Sequence, residues 1–272
     1  MATTPIRIAL NGASGRMGQA LIGLLRSDAR FELAYAVVSP QSAQADAPVW
    51  PGRPLRFAHD WSAAPAGIEV VVDFSSSAGL ATALDFCLAR STALVAGSTG
   101  LDPALVARLD AAASRIPLLR AANFSLGVAV LTRLLREAAA ALHDWDLEIV
   151  EAHHGRKQDA PSGTALALGA AAAQARGTTL AAAAVYAREG RPGARRDGSI
   201  GFAVVRGGDI VGEHQAMLIG TGERIELAHR ATDRAIFARG ALEAASWLAT
   251  RPAGAYGMDD VLATRMRLHL PE

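Results

Sequence analysis

The side chains best suited to proton transfer crowd into one passage of the 272-residue chain, Glu151-Ala152-His153-His154-Gly155-Arg156-Lys157-Gln158-Asp159-Ala160-Pro161-Ser162-Gly163-Thr164. His153 and Lys157 are the candidate proton carriers. Imidazole titrates near neutrality, and an ammonium gives up a proton where its surroundings lower its pKa, which a guanidinium does not. Of the 27 basic side chains Lys157 is the one lysine, in a chain that otherwise uses arginine throughout. Adjacent residues on extended chain face opposite ways, so His153 and His154 divide the work. One faces a reacting ring and the other holds a carboxylate. Ser162-Gly163-Thr164 opens an alanine-rich helix, whose first N–H groups and hydroxyls suit a carboxylate as well. Neighbouring histidines are poor ligands for a single metal ion, and neither a nearby cysteine nor an H-E-x-x-H helix accompanies them. The passage reads as acid–base machinery without a metal.

A second constellation lies at the start of the chain. The apolar run Ile6–Leu10 leads into Asn11-Gly12-Ala13-Ser14-Gly15-Arg16-Met17-Gly18, and a helix follows. Strand, glycine turn and helix in that order suit a dinucleotide: glycines let the backbone approach a pyrophosphate, and the helix start offers free N–H groups. The spacing is G-x-x-G-x-x-G rather than the commoner G-x-G-x-x-G. In such folds the second strand normally ends in an acid that holds the ribose 2′-hydroxyl of NAD. Here it ends Ala36-Val37-Val38-Ser39-Pro40, and Arg16 in the turn suits a 2′-phosphate, so the pattern favours NADPH modestly and leaves NADH open. Gly97-Ser98-Thr99-Gly100 closes another strand and leaves room for a nicotinamide ribose. Ala121-Ala122-Asn123-Phe124 ends the next and carries one of only two asparagines, suited to orienting the carboxamide.

The elements that position these residues fall into two patterns. Apolar strands at Ile6–Leu10, Phe31–Val38, Ile68–Phe74, Ala93–Ala96 and Pro117–Ala121 alternate with helices at Gln19–Arg26, Leu80–Arg90 and Pro103–Arg115, with a loop from Ser39 to Pro65. Such alternation predicts a parallel sheet wrapped on both faces. After Phe124 the rhythm changes to a long helix (Val128–Leu142), a strand (Asp146–His153), a helix (Ala165–Arg176) and strands at Ile200–Arg206, Asp209–Ile219 and Arg224–His229, with Gly207-Gly208 as a tight turn. A helix from Arg234, capped by Asp233, leads a final segment that returns to the first domain. The fold class expected is α/β: a Rossmann-like, doubly wound parallel sheet with a second α+β domain bearing a mixed or antiparallel sheet. Residues 1–124 plus 234–272 form the dinucleotide-binding domain, and 125–233 the domain for substrate and oligomerisation.

Composition bounds the rest. The chain is 51% hydrophobic, enough for a sizeable core, and its net charge of +1 removes basicity as an argument for nucleic acid. Its single cysteine, Cys87, fits a reducing cytoplasm and reads as a core residue. No apolar run approaches the length of a membrane span. His214 and His229 lie on second-domain strands and read as packed or paired. The chain is expected to be soluble and cytoplasmic.

With these residues in hand, the chain closely resembles the 4-hydroxy-tetrahydrodipicolinate reductase family, long called dihydrodipicolinate reductase, over nearly its whole length. The resemblance is carried by GASGRMG (12–18), Asp73-Phe74-Ser75, GSTG (97–100), AANFSLGV (121–128), EAHHGRKQDAPSGTA (151–165), RGGDIVGEH (206–214), and His229 with Phe237–Gly240. It implies reduction of a cyclic imine dicarboxylate with loss of water, on the diaminopimelate branch of lysine biosynthesis, by NAD(P)H. It also implies particular roles. Gly12, Ala13, Ser14, Gly15, Arg16 and Met17 hold the nucleotide, and Gly97, Ser98, Thr99, Ala121, Ala122, Asn123 and Phe124 lie at the nicotinamide side. His153 is the proton donor/acceptor and Lys157 a proton donor, while His154, Gly163 and Thr164 take the substrate's carboxylates. The family builds a homotetramer through the second domain. Two departures stand out: Val38-Ser39 replaces the acid–arginine pair often found there, and the usual G-T-T-G reads G-S-T-G.

Overall fold

The structure, a computed structural model, describes residues 4–52 and 54–269. Its elements in chain order are β1 (Ile6–Asn11), α1 (Arg16–Leu25), β2 (Phe31–Val37), β3 (Val70–Asp73), α2 (Ser77–Arg90), β4 (Ala93–Ala96), α3 (Pro103–Ala112), β5 (Pro117–Arg120), α4 (Leu126–Ala141), β6 (Asp146–His153), α5 (Gly163–Ala175), α6 (Leu180–Ala183), β7 (Ala184–Val185), β8 (Ile200–Arg206), β9 (Gly212–Ile219), β10 (Arg224–Ala231), α7 (Ala235–Leu248), β11 (Gly254–Tyr256) and α8 (Met258–His269). They divide into two units, 1–125 with 235–272, and 126–234.

The first unit is the α/β half. Its six strands are all parallel, in the order β11-β5-β4-β3-β1-β2. The central strands read as unbroken apolar runs because both faces are covered: Val70, Val71, Val72, Leu94 and Val95 are all fully buried. The chain moves outward from β1 to β2 and then returns to the other side of β1 as β3, so the strand order switches between β1 and β3. Ligands of doubly wound folds gather beyond the C-terminal ends of the strands at such a switch. Among the described residues of the segment 39–65 there is no helix or extended strand, and the ladder contacts are single bridges, Val37 to Ala58 and Pro48 to Arg56. After α7, whose small residues Ala238, Gly240, Ala241, Ala244 and Ala245 are buried, β11 adds a sixth strand beside β5, which the sequence pattern did not reveal.

The second unit is built on a mixed five-stranded sheet, order β10-β9-β6-β8-β7. β6 is central, parallel to β8 and antiparallel to β9. One face packs on α4 and α5 through Leu131, Leu135, Leu147, Ile149, Leu168, Phe202 and Leu218. The alanines and glycine of α5 allow a close approach, since a Cβ on Gly169 would lie 2.6 Å from the Phe202 ring. The expected tight turn at Gly207-Gly208 is not a hairpin, because β6 separates β8 from β9. Residues 207–211 instead wrap the end of β6. Gly207 N–H donates to His153 O at 3.0 Å, His154 N–H to Ile210 O at 2.8 Å and Gly155 N–H to Gly208 O at 3.3 Å. Backbone groups that a hairpin would have paired with each other therefore hold the histidine segment.

Candidate active site

In the first unit the glycine turn sits at the switch point and leaves no room for side chains. Gly12 has φ +77°, a conformation that favours glycine, and a Cβ there would collide with the Phe74 carbonyl. A Cβ on Gly18 would strike the Gly12 carbonyl, so the first turn of α1 packs directly on the loop. Gly15 is the N-cap of α1 without a side-chain cap, and the first turn of the helix holds no acid. Such a helix start suits a phosphate. Beside it opens a cavity of about 760 Å³, walled by Gly12, Gly15, Val38, His59, Trp61 and Ser75 among others. The turn and cavity fit a dinucleotide, and a side chain at Gly12 or Gly18 would fill the cradle.

The strand ends at this edge are knitted by one buried carboxylate. Asp73, fully buried at the end of β3, accepts hydrogen bonds from Asn11 Nδ2 (2.7 Å), Ser75 Oγ (2.5 Å) and Ser98 Oγ (2.6 Å), joining β1, β3 and the turn after β4. Burial pushes its carboxyl above the usual value, against the lowering effect of these three donors. The Ser98 hydroxyl, expected near a ribose, is thus committed to Asp73 and also accepts Ser75 N–H at 3.0 Å. Gly97 is required for a different reason, since a Cβ there would enter the Phe74 ring. Phe74 in turn meets Phe124 edge-on at 5.2 Å. Asn123 Oδ1 accepts Ser125 N–H at 2.8 Å, while Ala121 N–H pairs with Ala96 O. Arg16 and Thr99 are exposed; Ala13 is fully buried, its N–H donating to Val37 O.

In the second unit the site grows from the end of β6. Glu151 and His153 share a face because side chains alternate along a strand, and Glu151 Oε2 lies 2.6 Å from His153 Nδ1. Arg206, directly across from His153 on β8, grips both oxygens of Glu151 at 2.8 and 2.7 Å. Ser162 N–H donates to Glu151 Oε1 at 2.9 Å. Burial works to raise the Glu151 carboxyl, yet Arg206, His153 and Ser162 together hold it below its ordinary value. Ser162 is the N-cap of α5: its Oγ accepts Ala165 N–H and pairs with His214 Nε2 at 3.0 Å. His214, opposite Glu151 on β9, meets His153 edge-on at 5.2 Å. Burial, with help from His153, pushes His214 down to about 4.

His154, one residue past the strand, has different surroundings. Burial and the charges of Arg234 and Arg156 lower its pKa, and its Nδ1 is enclosed without a partner among the described residues. Lys157 Nζ lies 2.9 Å from Asp159 Oδ1, with 21% of the lysine side chain exposed, and that ammonium holds the Asp159 carboxyl below its usual value. Gly163 and Thr164 form the first turn of α5. The structure thus brings His153, Ser162, Gly163 and Thr164 together around Glu151. Glu151 and Arg206 carry no assigned role in the sequence reading, while His214, read there as packed or paired, is paired with Ser162. The position of Glu151 two residues before His153 on a strand was the one available signal.

An all-parallel sheet with a bare glycine turn at its switch point, joined in one chain to a mixed-sheet unit bearing a buried acid–imidazole pair, defines a protein of the dinucleotide-binding fold class. Comparison with known proteins narrows the class. Residues 6–124 match the family description "Dihydrodipicolinate reductase, N-terminus" and 127–262 match "Dihydrodipicolinate reductase, C-terminus". Proteins named 4-hydroxy-tetrahydrodipicolinate reductase from Anaeromyxobacter sp. (strain Fw109-5) and Cereibacter sphaeroides (strain KD131 / KCTC 12085) are 47% and 48% identical, covering 96% and 94% of this chain and 98% and 97% of their own. A dipicolinate-bound dihydrodipicolinate reductase from Paenisporosarcina sp. TG-14 superposes with a TM-score of 0.77 at 22% identity, covering 94% of this chain and 99% of that one, which shows the shared fold. An amine dehydrogenase from Mycobacterium smegmatis shares it more loosely, at TM-score 0.56 and 12% identity, with 95% and 96% covered. The chain belongs to the dihydrodipicolinate reductase family. It is an oxidoreductase acting at the reductase step of lysine biosynthesis through diaminopimelate, in a family that uses NAD(P)H. No helix among the described residues is long and apolar enough to cross a membrane.

Proposed function

We propose that His153 and Lys157 manage the protons of this reaction while His154, Gly163 and Thr164 hold the carboxylates of the ring. The substrate is 4-hydroxy-tetrahydrodipicolinate, which becomes tetrahydrodipicolinate with loss of water. The observation that carries the reading is the 2.6 Å Glu151–His153 pair, tied through Ser162 to the start of α5. That network supports the reading because it ties the His153 ring and the start of α5 to one carboxylate.

Gly12, Ala13, Ser14, Gly15, Arg16 and Met17 would hold the pyrophosphate end of the dinucleotide. Gly97, Ser98 and Thr99 with Ala121, Ala122, Asn123 and Phe124 would face its nicotinamide end. Reduced nicotinamide, when bound, supplies the hydride. The chain's own residues deal with what the ring gains and loses. Loss of the 4-hydroxyl as water leaves a conjugated double bond, and the negative charge that hydride addition to the carbon that bore the hydroxyl would leave on nitrogen or its conjugated carbon would be quenched by a proton from His153. Lys157 donates a proton and faces a carboxylate, sharing its ammonium with Asp159 until substrate competes for it. The N–H groups at Gly163 and Thr164 complement a carboxylate through the start of α5.

NADPH is the preferred cofactor in this reading. The end of β2 offers Val38 and Ser39 in place of an acid, and Arg16 is exposed at the turn. The assembly is a homotetramer built through the face of the second sheet opposite α4 and α5, where Val205 is half exposed. A reducing cytoplasm suits the lone, fully buried Cys87.

The test is a coupled assay in which the preceding synthase makes substrate from aspartate semialdehyde and pyruvate and loss of reduced-nicotinamide absorbance is followed. Lys157→Arg keeps the charge but gives up no proton. It is expected to fold normally and lose on the order of 10²-fold in kcat; wild-type turnover in that variant would refute the assigned role.

A further inference from the structure

We infer that Glu151 is a positioning residue for the proton step: it fixes which nitrogen of His153 reacts and locks that ring to the start of α5. The inference rests on His153 being the proton carrier. Glu151 is 1% exposed, and both of its carboxylate oxygens are engaged by polar partners. As a carboxylate it only accepts hydrogen bonds, so at 2.6 Å from His153 Nδ1 it requires a proton on that nitrogen. The remaining nitrogen, Nε2, is left to take up or release the reacting proton. A Cβ on residue 212 would come within 3.0 Å of Nε2, so glycine there keeps that side of the ring uncrowded.

Arg206 keeps the carboxylate from turning. Its two-pronged grip uses both oxygens, and it also donates to Asp159 O at 2.8 Å. A planar guanidinium on a planar carboxylate sets orientation as well as charge. Ser162 N–H occupies Oε1, so the same carboxylate that orients the ring also sets the N-cap of α5. A shift of the ring relative to Gly163 and Thr164 would have to break one of these bonds. The charged or titratable groups around His153 come from the neighbouring strands and the loop that follows: Glu151 on β6, Arg206 on β8, His214 on β9, and His154 next to it in the chain.

The experiment compares Glu151→Gln, Glu151→Asp and His153→Gln with the wild type in the full chain. Steady-state kinetics, nucleotide affinity, thermal unfolding and the nitrogen-15 spectrum of labelled histidine are recorded. An amide at 151 offers an N–H to Nδ1 and so favours the other tautomer. Glu151→Gln is expected to lower kcat by on the order of 10²–10⁴-fold with little change in nucleotide affinity and a lowered unfolding midpoint, because Arg206 loses its charged partner, and Glu151→Asp to regain part of the turnover. Near-normal kcat in Glu151→Gln together with loss in His153→Gln would overturn the positioning role and leave the proton carrier in place. Normal kcat in His153→Gln would remove the proton carrier itself, and the inference with it. Should Glu151→Gln fail to fold, the wild-type spectrum decides alone: His153 protonated at Nδ1 in its neutral form upholds the inference, and protonation at Nε2 overturns it.

Discussion

The pairing of His214 with Ser162, beside the His153 ring, makes acid stability the most direct physical test of this site. His214 is 5% exposed, and burial, reinforced by the charges of His153, His229 and Lys157 and opposed by Glu151, lowers its pKa from 6.5 to about 4. A histidine with a depressed folded pKa is neutral in the native state while the unfolded chain takes up a proton. Stability from this group is therefore fully present above pH 6.5 and is lost as pH falls toward 4. At about 1.4 kcal/mol per pKa unit the loss amounts to about 3 kcal/mol across that window. His214→Gln preserves a hydrogen-bonding group for Ser162 and does not titrate. Urea unfolding of the full chain and of this variant, from neutral pH down to about 4, isolates the effect. His154 and His229, whose pKa values are also lowered, contribute to both proteins alike. The wild type is expected to lose about 3 kcal/mol more than the variant over the window. Parallel loss in the two proteins would refute the reasoning.

Other expectations follow from the first unit and the open sheet face. Gly12→Ala forces a Cβ into the Phe74 carbonyl at a positive φ, and nucleotide affinity measured by fluorescence titration is expected to fall by roughly tenfold or more, about 1.4 kcal/mol per decade. Asp60, the one acid lining the cavity, is held below its usual pKa by Ser62 and stays charged. Asp60→Asn is expected to raise the ratio of NADPH to NADH efficiency, and an unchanged ratio would count against a cofactor role for this wall. Val205→Asp places a charge on the face proposed for assembly. Light scattering is expected to show species smaller than a tetramer, with helical content retained.

Much of the architecture was legible because the signals are local. The strands β4, β6 and β8 begin and end where apolar runs and alternation place them. α1 starts three residues before the expected Gln19, since Gly15 caps it and Arg16 to Gly18 form its first turn against the loop. The sheet order in the second unit was not legible. Gly207-Gly208 has the composition of a hairpin turn, but β6 pairs with both β8 and β9 and takes the place between them. That insertion supplies the backbone partners of His153, His154 and Gly155. Ser98 shows the same limit in the first unit: nothing in its sequence context pairs its hydroxyl with Asp73, 25 residues away.

The sequence by itself determined the class of fold, the glycine turn and the passage holding His153 and Lys157. Periodicity, backbone freedom and a dense polar signature are properties of short stretches of chain. Only the tertiary structure decided which groups surround the His153 imidazole. Arg206 lies 55 residues from Glu151, and His214 lies 52 from Ser162. Nothing in local chemistry pairs them. The mixed sheet lays β8 and β9 on either side of β6, and burial there leaves a carboxylate no water to solvate it, so the nearest guanidinium, imidazole and amide become its partners.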